Sequence, residues 1–206
     1  MVRRRRTQGE RKMETRQLLL DSAVETFAKF GFHGGSVDKI AEYAGFSKGA
    51  VYAHFSSKEE LFLAIMEQQM HARVKNILAV IDRHHSITHF IETMQDYVHS
   101  IRQENRVWSM LNMEFLLYAM REESVSHKWS EMIQKSIRHI SDAIDQLMVK
   151  QKHQSPLTAD EMAWTILSLE NGMAIFYYIS KDDMPGHLYG KALQNILFPG
   201  SRKVAE

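Results

Sequence analysis

Apolar residues recur at three- and four-residue steps along most of the chain, which is the spacing of one face of a helix. The pattern predicts a first helix over residues 14–30 and two short helices within residues 36–58. Residues 50–171 contain no glycine, and no proline precedes Pro156, so the main helix-breaking residues are absent there. No strand-like alternation stands out. The sequence therefore predicts an all-α protein.

Six further helices are predicted, at about residues 57–80, 87–101, 107–120, 124–153, 158–180 and 185–197. Two of them open with a capping box, S-x-x-E from Ser57 to Glu60 and T-x-x-E from Thr158 to Glu161. The helix over 158–180 is apolar nearly all round, so every side of it needs cover. Because Glu170 interrupts its apolar run, we expect no membrane span. An identical subunit is the simplest cover, which predicts a homodimer.

The two short helices have the layout of a helix-turn-helix. The first spans about residues 37–44 and is followed by Gly45, at the position where helices often end in a left-handed residue. Ser47 is placed to cap the second helix, and Val51 and Phe55 point inward. A small, basic outer face remains on this second helix, which is the part of the motif that enters the DNA major groove.

The residue types on that face suit duplex DNA. Lys48 can donate to guanine acceptors, and the small Ala50 can contact a thymine methyl group. Tyr52 and His54 carry polar tips that can reach phosphate oxygens, as can Lys58 at the start of the following helix. The predicted DNA contacts are Ser36, Ser47, Lys48, Gly49, Ala50, Tyr52, His54 and Lys58.

Charge is divided unevenly along the chain. Residues 1–58 hold 11 Lys and Arg against 6 Asp and Glu, whereas the remainder holds 15 against 19. A basic N-terminal part with an acidic body is the electrostatic pattern of a nucleic-acid binder. We predict a flexible basic arm over residues 1–13, a helix-turn-helix domain over 14–58, and a larger helical ligand-binding and dimerisation domain over 59–206. The arginines at 3–6 would reach the minor groove or form a solvated tail.

The chain resembles the TetR/AcrR family of bacterial transcriptional regulators over about residues 15–63. The matching residues are Ala23, Phe27, Gly31-Phe32, Ile40-Ala41, Ala44-Gly45-Phe46-Ser47-Lys48-Gly49, Val51-Tyr52, His54-Phe55 and Lys58-Glu59-Glu60-Leu61. The resemblance implies an all-helical homodimer that pairs through its last two long helices. It also implies a variable body that binds a small ligand, and a fourth helix whose movement sets the distance between the two DNA-binding domains.

A hydrophobic effector pocket is expected in the body, because flexible methionines and large aromatic side chains suit a bulky apolar ligand. The candidate pocket residues are Trp108, Met113, Glu114, Phe115, Tyr118, Trp164 and Tyr177. Each is also suited to an ordinary core. Glu114 in particular could anchor a cationic or hydrogen-bonding ligand, or lie in an internal salt bridge or at a partly exposed edge.

Catalytic and metal-binding patterns are absent. The 11 histidines include His84, His85 and His89, but no H-E-x-x-H or comparable ligand set occurs, and solvated histidines explain them better. No phosphate-binding glycine loop or nucleophile elbow is present. We therefore predict no enzyme activity, no cofactor and no metal. The absence of cysteine and of a secretory signal fits a cytoplasmic protein.

These observations predict a ligand-responsive repressor that a small hydrophobic effector releases from a palindromic double-stranded operator. A two-fold dimer would place its recognition helices about 34–36 Å apart. Two alternatives remain open from the sequence. One is a constitutive or architectural DNA-binding protein without an effector, and the other is a helical protein-interaction module whose basic end meets an acidic partner.

Overall fold

The computed structural model describes residues 7–83, 87–104, 106–152, 154–180 and 183–199. Within these ranges the chain forms nine α-helices and no strand, which confirms the all-α prediction. They are α1 (Gln8–Gly34), α2 (Val37–Ala44), α3 (Lys48–Tyr52), α4 (Lys58–Arg83), α5 (Ile87–Glu104), α6 (Arg106–Arg121), α7 (Glu123–Gln151), α8 (Ala159–Ser180) and α9 (Leu188–Leu197).

Helix α1 begins earlier than predicted. The Thr7 hydroxyl accepts the Glu10 backbone N–H at 3.2 Å, and the Glu10 carboxylate accepts the Thr7 backbone N–H at 2.6 Å. This reciprocal capping box starts the helix at Gln8, so the prediction of a flexible arm was wrong for residues 8–13. The arginines at 3–6 lie outside the described residues.

A break interrupts α1 close to its end. Gly31 has φ 70° and ψ 170°, a combination that is essentially restricted to glycine. The helical path therefore stops after Phe30, as predicted, and a short helical stretch resumes up to Gly34. Phe32 is thereby turned into the core, where its side chain is buried.

The chain divides into two compact units, of which the first contains the described residues up to Gln69 together with Met110–Ser126. Its core contains a group of aromatic rings. The Phe62 ring lies 5.2 Å from Phe27, 4.7 Å from Phe32 and 5.3 Å from Phe115, measured between centroids. The unit thus includes most of α6 and the start of α4, which the predicted domain limits of 14–58 leave out.

The second unit contains Met70–Ser109 and the described residues from His127 onward. Helices α5, α8 and α9 pack against one another in it. At the α5–α9 contact, a Cβ atom on Gly190 would clash with the Gln95 side-chain oxygen, so glycine allows this approach. Helix α9 begins at Leu188 instead of the predicted 185, because residues 185–187 form a turn in which the Leu188 N–H bonds to the Pro185 carbonyl.

Helix α8 has one buried face and one exposed apolar face. The predicted capping box is confirmed, since Thr158 and Glu161 exchange both hydrogen bonds at 2.8 and 3.3 Å. The Thr158 backbone N–H and the Thr158 hydroxyl both donate to the Glu161 carboxylate and lower the pKa of this carboxyl. The buried face carries Glu170, whose Oε1 accepts the Arg73 Nε–H at 2.9 Å. None of the helices in the described residues combines the length and the apolar character that a membrane span requires.

Candidate DNA-binding site

The turn between α2 and α3 has the geometry that the sequence predicts. Gly45 adopts a left-handed conformation at φ 73° and ψ 28°, and the Phe46 N–H returns to the Ala41 carbonyl at 2.9 Å. The Ser47 hydroxyl then accepts the Ala50 N–H at 3.2 Å and caps α3. Ser36 caps α2 in the same way through the Lys39 N–H. These local bonds close both ends of a compact helix-turn-helix.

The inner side of this motif is apolar and the outer side is accessible. Val51 and Phe55 are almost fully buried beneath α3, as predicted. The helix itself is shorter than expected, because the chain tightens after Tyr52 and the His54 N–H bonds to the Val51 carbonyl. His54 therefore lies in the turn that follows α3.

The outer side presents one large aromatic residue and one cation above small residues. Tyr52 is 49% exposed, and Gly49 and Ala50 beside it leave room for close approach of a groove. The Lys48 ammonium lies 2.9 Å from the Asp38 carboxylate, and this hydrogen bond raises the pKa of Lys48. The outer side of α3 thus carries an ion pair between Lys48 and Asp38. A DNA phosphate or base would compete with Asp38 for the Lys48 ammonium.

Lys58, predicted as a DNA contact, makes contacts within the protein. Its ammonium donates to the Phe32 carbonyl at 2.9 Å and to the Gly35 carbonyl at 3.3 Å, and it lies 4.4 Å from the centre of the Phe32 ring. These contacts direct the charge to the backbone that joins α1 to α2. In the structure, Lys58 therefore holds the backbone between α1 and α2 in place.

Two cations that the sequence reading did not assign to DNA lie near His54. Burial, followed by the positive charges of Lys12 and Arg16, lowers the pKa of His54, so this imidazole stays neutral to lower pH than a free one. The Arg16 guanidinium lies 5.0 Å from the Phe55 ring centre. Lys12 and Arg16 are spaced four residues apart on α1, and recognising the Thr7 capping box would have placed them on one helical face.

The candidate pocket residues are distributed over the two units. Met113, Glu114, Phe115 and Tyr118 belong to the first unit, whereas Trp108, Trp164 and Tyr177 belong to the second.

The structure gives the surroundings of four of these candidates. Phe115 is buried against Phe62, and the Glu114 carboxylate accepts the Phe32 backbone N–H at 2.7 Å. Tyr118 stands 5.0 Å from the Phe32 ring, and burial raises its pKa. Trp164 is 47% exposed.

Metal-binding groups are absent from the part of the chain that the structure describes: no three His, Asp or Glu side chains are arranged to hold an ion. His84 and His85 lie outside that part. His89 is exposed and lies 3.6 Å from Glu92 as an i,i+3 pair.

Comparison with known proteins bears on the same region. A family model for "Bacterial regulatory proteins, tetR family" matches residues 19–65, which span the end of α1, the helix-turn-helix and the start of α4.

Two relatives extend the similarity beyond this domain. The repressor AcnR of Corynebacterium diphtheriae is 28% identical over 145 residues, covering 70% of this chain and 69% of AcnR. The uncharacterized HTH-type transcriptional regulator TtgW of Pseudomonas putida is 33% identical over 137 residues, covering 66% of this chain and 96% of TtgW.

Solved structures share the fold over nearly the whole chain. Reduced NemR of E. coli aligns with a TM-score of 0.74 at 18% identity, covering 89% of this chain and 98% of NemR. FadR from Bacillus subtilis, in complex with stearoyl-CoA, aligns with a TM-score of 0.70 at 14% identity, covering 89% and 98%. At these identities the likeness concerns the fold alone.

Proposed function

The chain belongs to the TetR family of bacterial transcriptional regulators, a non-enzymatic family that binds DNA, and on this premise we propose that it is a ligand-responsive repressor. It binds a palindromic operator as a homodimer in the cytoplasm, and a small hydrophobic effector releases it.

The observation that carries the proposal is the recognition surface of α3. A helix of five residues is held from beneath by buried Val51 and Phe55 and is capped by Ser47. Its exposed side offers Lys48 and Tyr52 next to small residues. This combination supports insertion into the major groove, where side chains read base edges while others fix the register on phosphates.

We assign roles to individual residues on this basis. Lys48 and Ala50 contact bases, and Tyr52 and His54 contact phosphates, with Ser36, Ser47 and Gly49 at the edge of the interface. Lys12 and Arg16 add phosphate contacts from α1, because their charges lie close to His54. Lys58 is left out of the contact set, because two backbone carbonyls already receive its ammonium. With few long polar groups on α3, DNA shape supplies part of the specificity.

Replacing Lys48 and Tyr52 together by alanine is expected to weaken operator binding by about a hundredfold or more, since one base contact is worth about 1–3 kcal/mol and phosphate contacts add to it. Fluorescence anisotropy with the selected operator measures the loss. Lys75→Ala removes the same charge from an exposed position on α4 and is the control. A folded double variant that keeps full operator affinity would show that these contacts are assigned wrongly.

Asp38→Asn is expected to tighten DNA binding severalfold at low salt. The change releases Lys48 from its ion pair and removes a negative charge from the recognition surface. Because the change removes one negative charge from the surface that faces DNA, the gain in affinity should shrink as the salt concentration rises. Asp21→Asn, at an exposed position on α1, is the matched control. Equal affinities for Asp38→Asn and wild type would argue against Lys48 as a DNA contact.

The exposed side of α8 supports the homodimer. Trp164, Phe176 and Ile179 are 47%, 62% and 75% exposed, and with helical spacing they lie within about a third of the circumference of α8. Ile196 on α9 is also exposed. Apolar side chains of this size, aligned along one stripe, are typical of a surface that a partner covers. Trp164 is therefore better assigned to this stripe than to an effector pocket.

A hydrophobic effector is supported by the residue types of the body and by one structural neighbour. FadR of B. subtilis, which shares the fold, was solved with stearoyl-CoA. The chain contains 13 methionines, whose flexible side chains adapt to apolar ligands. Release requires the effector to bind the conformation with low DNA affinity more tightly, and such coupling is typically about 1–3 kcal/mol.

Selection of bound duplexes from a random pool tests the proposal directly. We expect a palindromic consensus, bound by a species with twice the 24.0 kDa chain mass in sedimentation. Stearoyl-CoA is the first effector probe, followed by shorter acyl-CoA thioesters and uncharged apolar compounds. A monomer that ignores every duplex at low ionic strength would refute DNA recognition. A selected operator that no apolar compound releases would instead support the constitutive alternative.

A further inference from the structure

The segment between α1 and α2 is held by a side chain from α6. Directly after the break at Gly31, the Glu114 carboxylate accepts the Phe32 N–H at 2.7 Å. The carboxylate fits closely against the break, since a Cβ atom on Gly31 would lie 3.1 Å from Glu114 Oε1. Glu114 therefore caps a backbone break that lies 82 residues away in the sequence.

The same segment is also held on its carbonyl side. Lys58 donates to the carbonyls of Phe32 and Gly35, while the Phe32 ring stacks on Phe62 with an interplanar angle of 16°. Glu114 from α6 thus accepts a backbone N–H of this segment, and Lys58 from α4 donates to two of its backbone carbonyls. Because both partners are charged, these hydrogen bonds are stronger than those between neutral groups.

This segment leads directly into the DNA-binding motif. Ser36 follows Gly35 and caps α2, so the position of residues 31–35 determines where α2 begins. From α1, the buried Ser22 hydroxyl donates to the Ile40 carbonyl at 2.8 Å and ties α2 to the same scaffold. Glu114 on α6 thus contacts the segment that sets the start of the helix-turn-helix.

We infer that Glu114 is a positioning residue: it sets the orientation of α2 and α3 through the Phe32 N–H, and α6 regulates DNA binding through this contact. The inference rests on the proposed function and deepens it by naming the residue that links α6 to the segment before the DNA-binding helices. In this inference the Glu114 carboxylate binds backbone and does not anchor an effector.

Three variants test the inference: Glu114→Ala, which removes the acceptor, Glu114→Gln, which keeps a neutral acceptor, and the control Glu122→Ala, which removes an exposed carboxylate directly after α6. Amide hydrogen exchange of Phe32 measures the contact itself. Loss of a hydrogen bond to a charged group should make this exchange about tenfold faster or more in Glu114→Ala. We expect Glu114→Gln to stay within roughly threefold of wild type, because an amide oxygen still accepts the bond.

DNA binding then separates positioning from plain stability. The wild type should discriminate between selected operators whose two half-sites stand at the optimal spacing and one or two base pairs further apart. In Glu114→Ala this discrimination should fall about tenfold, the scale of one lost charged hydrogen bond, while binding to a single half-site changes little. A variant with a merely weakened fold would instead lose single- and double-site binding in parallel.

The outcomes are distinct. Unchanged Phe32 exchange in Glu114→Ala, or faster exchange with unchanged spacing discrimination, would overturn the positioning role. Unchanged exchange and discrimination, combined with loss of the response to a releasing acyl-CoA, would assign Glu114 to the effector pocket instead. If the wild type binds no duplex, the proposed function fails, while the exchange measurement still reports whether Glu114 caps Phe32.

Discussion

Replacing Phe62 by alanine is expected to lower the free energy of unfolding of the first unit by about 3–5 kcal/mol, the usual cost of truncating a buried aromatic residue. The Phe62 ring is fully buried and contacts three other rings, those of Phe27, Phe32 and Phe115. Each aromatic pair adds about 0.5–1.5 kcal/mol beyond the area that it buries. A loss of this size is a large fraction of the about 5–15 kcal/mol that stabilises a typical domain.

Phe62→Leu provides the matched control for this prediction. Leucine keeps most of the apolar volume without the ring contacts, so its cost should be clearly smaller than that of alanine. All three tryptophans lie in the second unit, so the unfolding of the first unit is better followed by amide hydrogen exchange of residues in α1 and α2. Equal and small losses for both variants would mean that the aromatic cluster does not stabilise this unit.

Arg73→Ala is expected to destabilise the second unit by about 3–5 kcal/mol, because it leaves the Glu170 carboxylate in the interior without its cation. Glu170 is 2% exposed, and its Oε1 accepts the Arg73 Nε–H at 2.9 Å. Arg73 also donates to the Asn171 side-chain oxygen at 3.3 Å. Denaturant unfolding followed by tryptophan fluorescence measures the change, since Trp108, Trp129 and Trp164 all lie in this unit.

The double variant Arg73→Met with Glu170→Leu distinguishes the loss of the pair from the cost of an orphaned charge. Apolar replacement of a buried ion pair is often neutral or stabilising, so the double variant should recover most of the stability that Arg73→Ala loses. If the double variant is as unstable as Arg73→Ala, the pair itself contributes net stability. If Arg73→Ala unfolds like the wild type, Glu170 is not held in the way the structure describes.

Local signals made the helix-turn-helix predictable. Residues 37–44, the left-handed Gly45 and the Ser47 cap all depend on bonds between residues that are close in sequence, and the structure contains each of them. The Thr158 capping box is equally local and was predicted correctly. The identical T-x-x-E pattern at Thr7 is equally local and sets the start of α1 at Gln8, six residues before the predicted start.

The contacts that couple these elements could not be read from the chain. Glu114 reaches Phe32 over 82 residues, Lys58 reaches it over 26, and Arg73 meets Glu170 over 97. A carboxylate on an amphipathic helix suits a ligand, a salt bridge or an exposed edge equally well until the opposing backbone is known. Here the opposing group is the Phe32 N–H directly after a glycine break, and no periodicity predicts that pairing.

The sequence alone determined the helical class, the recognition motif and the apolar excess of α8, because helix periodicity, capping and turn chemistry act over a few residues. Three contacts could be seen only once the helices were packed together. Lys58 donates to backbone carbonyls, Asp38 pairs with Lys48, and Glu114 caps the break at Gly31. The contacts of Lys58 and Glu114 depend on which polar groups meet when helices distant in sequence pack, because a buried donor or acceptor is costly to leave unpaired. The Asp38–Lys48 pair is exposed and depends on how the neighbouring helices α2 and α3 are oriented.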